Sequence, residues 1–361
     1  MGNKKKNIIS LIVLVILIFI TFFFLLKDIN LHDLLDTVKN AKKLYILLAF
    51  FMVFLYLFIG GYYLKIILES LNIKAKIWKC FIYSSVEHYF DAITPLSLGG
   101  EPAKIYYMTK DGIPIMSSSI AIIFIMAVYK VAILLMGTFF MIYKPSIIFN
   151  NGWLFTTGFI FGFLVILFMG IFLFTVMFSP TLATNIVNKL VGLGAKLKLV
   201  KDKEKVINNF SKHLEDYKIA SAHLKKNKLL FFQVLVLTIL QRTAMFAISY
   251  YVYRALGLNI ATATNFILIQ TIMNIVGDGL PFPGGVGVAE VMFLNLYRKF
   301  YTKSKLMPAM VLTRGINHYF ALLVTASVSL FNHARILNRE NKLEKEIKLT
   351  WLHVFFMYRK S

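Results

Sequence analysis

Acidic residues are scarce in this chain and cysteine is almost absent. Only 17 of the 361 residues are Asp or Glu, and Cys80 is the single cysteine. One thiol excludes an intrachain disulfide and a thiolate metal cluster. The seven histidines are scattered, with no His-x-x-x-His or Glu-x-x-His spacing, so metal catalysis has no support. No nucleophile–base pair and no P-loop can be picked out. Charge of either sign is sparse at 16%, whereas 58% of residues are hydrophobic and mean hydropathy is +0.70. That balance excludes a soluble domain and places the chain among polytopic helical membrane proteins.

What charge there is leans strongly one way, to a formal net +23. Nucleic acid is one class of partner for so basic a chain, but no basic patch sits on a soluble fold that could present it. The lysines lie between apolar runs, where they set topology and meet anionic headgroups. Membrane phospholipids, anionic or aminoacylated, are therefore the expected partners. A second copy of the chain and a separate lipid synthase are further candidates.

Six runs are long enough to cross a ~30 Å hydrocarbon core, at about 8–26, 44–68, 116–143, 152–178, 229–253 and 306–331. The first follows Lys4, Lys5 and Lys6 and resembles a signal peptide. It lacks a small-x-small cleavage site and reads as a retained span. Residues 28–43 show helical spacing of leucines with charges between them, as an interfacial amphipathic helix does. The stretch 180–228 carries eleven lysines against four acids, which makes it a cytoplasmic loop.

Counting crossings from that loop leaves two segments that must enter and leave on the same side, near 80–102 and 262–302. Both termini then fall in the cytoplasm. Arg298, Lys299, Lys303 and Lys305 fall outside, against the positive-inside rule. The expected fold is all-α, with six full spans and two re-entrant hairpins in an inverted repeat. Its parts are a first span and interfacial helix (1–43), repeat one (44–143), a linking helix and basic loop (144–228), repeat two (229–331) and a basic tail (332–361).

The two hairpins look like versions of each other. The first holds Thr94-Pro95-Leu96-Ser97-Leu98-Gly99-Gly100-Glu101-Pro102; the second holds Pro281-Phe282-Pro283-Gly284-Gly285-Val286-Gly287-Val288-Ala289-Glu290. Proline and paired glycine break a helix, and a break at membrane depth survives only against protein or a wet cavity. Matched breaks in the two halves of a chain point to a transporter's central site.

Ionisable groups cluster around these breaks. Glu87, His88, Asp91 and Glu101 lie in the first hairpin with Lys104 at its end; Asn274, Asp278 and Glu290 lie in the second. A charge at the bilayer centre costs at least ~2.5–3.5 kcal/mol, so it faces a cavity or a partner. Lys130, Arg242 and Arg314 sit inside full spans, where they either pair with the hairpin acids or hold a lipid phosphate. The hairpin glycines Gly99, Gly100, Gly284 and Gly285 could offer backbone N–H groups at half-helix starts, which favours an anion.

The stretch FDAITPLSLGGEPAKIYYMTKDGIP followed by LPFPGGVGVAE resembles the lysylphosphatidylglycerol synthase transmembrane-region family, over nearly the whole chain. The family pattern falls on Thr94, Pro95, Gly99, Gly100, Glu101, Pro102, Lys104, Gly112, Pro283, Gly284, Gly285, Gly287, Glu290 and Arg314. The resemblance implies a bacterial cell membrane protein, and the family includes the flippase half of the multiple peptide resistance factor, which links it to antibiotic resistance. The full-length factor also carries a soluble aminoacyl-transferase domain, which is not expected in the short basic stretch after Asn332.

The expectation is a flippase for aminoacylated phosphatidylglycerol or a related phospholipid, with no catalytic residues, no metal and no cofactor. Lys130, Arg242 or Arg314 would hold the phosphate. Asp91, Glu101 and Glu290 would hold cationic substituents or carry protons. Glu101→Gln and Arg314→Ala are expected to abolish transport in a folded protein. The alternatives are a phosphatidylglycerol lysyltransferase, a flippase for a polyprenyl-phosphate or glycolipid carrier, and a scaffold for an envelope synthase.

Overall fold

A computed structural model describes residues 39–94, 98–149, 152–196, 204, 214–278 and 288–358. The span expected at 8–26, most of the interfacial helix, Pro95 and the Pro281–Gly287 motif lie outside the described residues. Among the described residues the chain is all-helical, without a strand.

Five stretches are long and apolar enough to cross a membrane: Lys43–Ser70, Ile115–Tyr143, Phe155–Phe178, Lys228–Ala255 and Lys303–Arg339. The protein is therefore a multi-pass membrane protein. The helices are α1 (Lys43–Ser70), α2 (Ile77–Ile93), α3 (Gly100–Lys110), α4 (Ile115–Tyr143), α5 (Pro145–Phe149) and α6 (Trp153–Phe178). After α7 (Pro180–Lys196) and α8 (Leu214–Lys226) come α9 (Lys228–Ala255), α10 (Ala263–Asp278), α11 (Val288–Tyr297) and α12 (Lys303–Arg314). A π-helical turn, Gly315–Phe320, joins α12 to α13 (Ala321–Tyr358).

The first broken segment forms a longer helix, a break and a shorter helix, and the second has a described helix on each side of its motif. α2 has 17 residues and α3 has 11, so they reach about 25 and 16 Å, each short of a ~30 Å core. α10 and α11, the described helices on either side of the Pro281–Gly287 motif, have 16 and 10 residues. Pro102 sits in the first turn of α3, where its missing N–H costs no helical bond. Pro308 lies inside α12.

Packing repeats as well. α1 lies along α9, the first span of each half against the other. The long hairpin helix α2 packs on α13, the last span of the opposite half, and α10 correspondingly packs on α4. Exchanging the halves thus maps one set of neighbours onto the other. Close approach of α1 and α2 depends on glycine: a Cβ on Gly61 would stand 2.6 Å from the backbone nitrogen of Phe81.

Two apolar cores result. One gathers Leu57, Ile133, Phe266, Ile275 and Tyr297; the other gathers Leu64, Tyr83, Tyr107, Phe124 and Ile336.

Candidate functional site

Between the two cores lies a cavity of about 690 Å³. Both hairpins and the spans around them line it. α2 contributes Glu87, His88 and Asp91, α3 contributes Glu101, and α10 contributes Asn274 and Asp278. Lys130 enters from α4, Arg242 from α9, and Arg314 and Asn317 from the last span at its π-turn. A π-turn breaks the regular ladder and is frequent at functional sites; this one directly follows Arg314.

The break in the first hairpin is closed by its own side chains. Thr94 Oγ1 accepts the Gly99 N–H at 3.0 Å, and Asp91 Oδ1 accepts the Gly100 N–H at 2.9 Å. These bonds satisfy orphan donors at the start of α3. Thr94, Gly99 and Gly100 thereby shape the bend, and none of the three lines the cavity. Gly284 and Gly285 lie outside the described residues.

Three cations pair with hairpin acids and a fourth, Arg242, does not. Lys104 is fully buried behind the cavity wall, its Nζ 2.7 Å from Glu87 Oε2. Arg314 Nε is 2.8 Å from Glu290 Oε1, and Glu290 is 2% exposed. Lys130 Nζ lies 3.5 Å from Asp278 Oδ2, which also accepts the Tyr129 hydroxyl at 2.8 Å. Arg242 differs. Its guanidinium lies over the rings of Tyr129 (4.3 Å) and Tyr56 (5.4 Å), and its Nε is buried without a hydrogen-bond partner. Among the described residues no carboxylate comes within 4 Å of it. Among the described residues Asp91 and Glu101 in turn have no lysine or arginine within that distance.

The family description "Lysylphosphatidylglycerol synthase TM region" matches residues 7–325. The chain belongs to this family. As a member of the lysylphosphatidylglycerol synthase TM-region family, it is an integral membrane protein linked to lipid handling. A comparison with curated proteins returned no match.

Of the family member's sequence-predicted site residues, the fold brings Glu87, Asp91, Glu101, Lys130, Arg242, Asp278 and Arg314 to one cavity. Glu290 sits behind the wall with Arg314, as Lys104 does with Glu87. Sequence reasoning passed over Tyr56, Tyr129 and Gln241. The signal for two of them was present, since Tyr129-Lys130 and Gln241-Arg242 are polar pairs inside apolar spans. Tyr56 carried none, one of eighteen tyrosines in the chain.

Proposed function

We propose that this protein is a phospholipid translocator in the bacterial cell membrane that takes a lipid headgroup carrying both a phosphate and an ammonium group. The observation that carries this reading is charge of both signs lining one cavity without an ion pair within 4 Å among the described residues. Arg242 offers guanidinium donors to a phosphate, and guanidinium matches phosphate geometry well. Asp91 and Glu101, from the hairpin opposite, offer carboxylates to an ammonium. Lys130 and Arg314, the other cations named from sequence, are engaged by Asp278 and Glu290.

The charge count favours a lipid with excess positive charge. Around the cavity five carboxylates (Glu87, Asp91, Glu101, Asp278, Glu290) face four cations (Lys104, Lys130, Arg242, Arg314). The acids outnumber the cations by one. A lysylated phosphatidylglycerol headgroup, with one phosphate and two ammonium groups, balances that excess; unmodified phosphatidylglycerol does not. The acyl chains would stay in the bilayer. The hairpins α2–α3 and α10–α11 would enter from opposite leaflets, with the lysine-rich 180–228 stretch cytoplasmic, and rocking of one half against the other would give alternating access.

The test is a reconstituted flipping assay with labelled lysyl-phosphatidylglycerol, phosphatidylglycerol, phosphatidylethanolamine and a polyprenyl phosphate. Lysyl-phosphatidylglycerol should move fastest. Failure to move any of them would sink the reading. Preferential movement of the polyprenyl phosphate would transfer it to a carrier-lipid translocator. Lysyl-lipid made by this chain alone in a host that lacks it would instead establish a transferase.

A further inference from the structure

The last span carries a second polar feature that begins at the cavity and continues past it, where Ser329 and Asn332 do not line the cavity. Thr313, Asn317, Thr325, Ser329 and Asn332 recur at helical spacing along α12, the π-turn and α13, and so form one stripe. Thr313, Thr325, Ser329 and Asn332 are each no more than 3% exposed. Thr325 is satisfied by the Ala321 carbonyl of its own helix. The others are not: Thr313 Oγ1, Asn317 Oδ1, Ser329 Oγ and both amide atoms of Asn332 are buried without a hydrogen-bond partner. Buried polar atoms are paired in the great majority of cases. A run of unpaired ones along a single stripe calls for a cause.

The position of the stripe supplies one. It starts in the cavity, which Thr313 and Asn317 line. It continues along α13, which packs against α2. Past Asn332 the buried Ile336 joins the same apolar core as Tyr83 of α2 and Tyr107 of α3. There the seam ends in a polar clasp. Asp111, in the turn after α3, accepts hydrogen bonds from Lys79, from Tyr83 Oη (2.7 Å), and from Arg339 (3.4 Å) and Arg335 (3.5 Å) of α13. Beside it Tyr107 Oη lies 3.0 Å from His333 Nδ1. Arg335 and Arg339 are about half exposed, and such contacts are weak enough to open and close.

We infer that the seam between the α2–α3 pair and α13 is the path of the polar headgroup between the central cavity and the Asp111 end of the molecule, shut by the Asp111 clasp in this conformation. The inference rests on the translocator reading. A phosphate accepts hydrogen bonds from the Ser329 hydroxyl and the Asn332 amide N–H, and an ammonium donates to the Asn332 and Asn317 amide oxygens. The unpaired groups thus gain partners when the seam opens to a headgroup and its water. An apolar seam would stop a charged headgroup, and a fully satisfied polar one would be rigid. The competing role for such residues is adhesion between membrane helices.

Locking the seam separates these roles. In Tyr107→Cys/His333→Cys, a cleavable bis-maleimide would bridge α3 to α13, with the single-cysteine variants controlling for Cys80. In liposomes the bridged protein should move lysyl-phosphatidylglycerol at least tenfold more slowly, with recovery when the bridge is cleaved. Unchanged transport by the bridged protein would overturn the seam path and leave the translocator reading standing. A wild-type protein that moves no lipid would overturn both. Should the paired-cysteine variant not fold, Ser329→Ala/Asn332→Ala decides. Slower transport at an unchanged or higher melting temperature supports the path. A lower melting temperature with normal transport per folded molecule assigns the stripe to adhesion and overturns it.

Discussion

The Asp91 carboxylate and the Gly100 amide meet at 2.9 Å across the break between α2 and α3, a contact that only glycine permits. A Cβ on Gly100 would stand 2.3 Å from Asp91 Oδ1. In Gly100→Ala the carboxylate must turn away and the bend loses its closing bond. At Gly61 the obstacle is the backbone of Phe81, which cannot turn aside. Both alanine variants are expected to lose about 1–3 kcal/mol, the usual cost of overpacking, with Gly61→Ala the worse. Thermal melts in detergent check the order; equal or reversed losses would refute the account of the two glycines.

Arg242 and Arg314 should respond differently to removal. Arg242→Gln leaves no carboxylate without its partner, so the variant should fold and transport at least tenfold more slowly. Arg314→Ala removes the cation paired with the buried Glu290, and breaking a buried pair costs about 3–5 kcal/mol. Its folded yield should fall, which revises the expectation drawn from sequence that this variant stays folded. Arg314→Ala/Glu290→Gln should recover much of the loss. Melting temperature and flipping rate measured on the same preparations separate the two arginines.

Glu101→Gln is expected to fold normally, because among the described residues no lysine or arginine within 4 Å depends on its charge. It should still reduce transport of lysyl-phosphatidylglycerol by more than it reduces transport of phosphatidylglycerol, since only the former brings ammonium groups. Equal reductions for the two lipids would argue against an ammonium site at Glu101.

Lys104 and Glu87 form the counterpart. Lys104→Met removes a fully buried cation and leaves the Glu87 charge unpaired, so it should destabilise more than Lys104→Met/Glu87→Gln does. A double-mutant cycle with no coupling between the two positions would refute the pair.

Asp111 sets a pH dependence. Burial by itself would raise its carboxyl, but hydrogen bonds from Lys79 and Tyr83, with Lys79 and Arg335 charge nearby, hold it below the ordinary carboxylate range. A depressed pKa in the folded state means that its stabilisation is complete above the unfolded value, about 3.9, and is lost as pH falls through the folded one. The stability gap between wild type and Asp111→Asn should therefore be constant from pH 8 to about 5 and close only below about 4. A gap that closes between pH 7 and 5 would refute this assignment.

The sequence by itself determined the membrane class, the five described spans and the break after α2, because each depends on local composition. A run of twenty apolar residues must cross or bury itself, and the dense Pro and Gly of Thr94–Pro102 weaken a helix far more than the isolated Gly60-Gly61 pair that α1 carries through. It also singled out ionisable residues near the breaks, and the fold brings Glu87, Asp91 and Glu101 of the first of them to one cavity. What it left open was pairing. Lys104, Lys130, Arg242 and Arg314 are alike in sequence, each a cation in or beside an apolar stretch. Only the tertiary structure set three of them against Glu87, Asp278 and Glu290 and left Arg242 on tyrosine faces. Ion pairing is decided by distances of a few ångströms between residues as far apart as Lys130 and Asp278, and no local pattern encodes those distances. The stripe from Thr313 to Asn332 was equally hidden, since serine and asparagine in a span become informative only when burial leaves them without a partner.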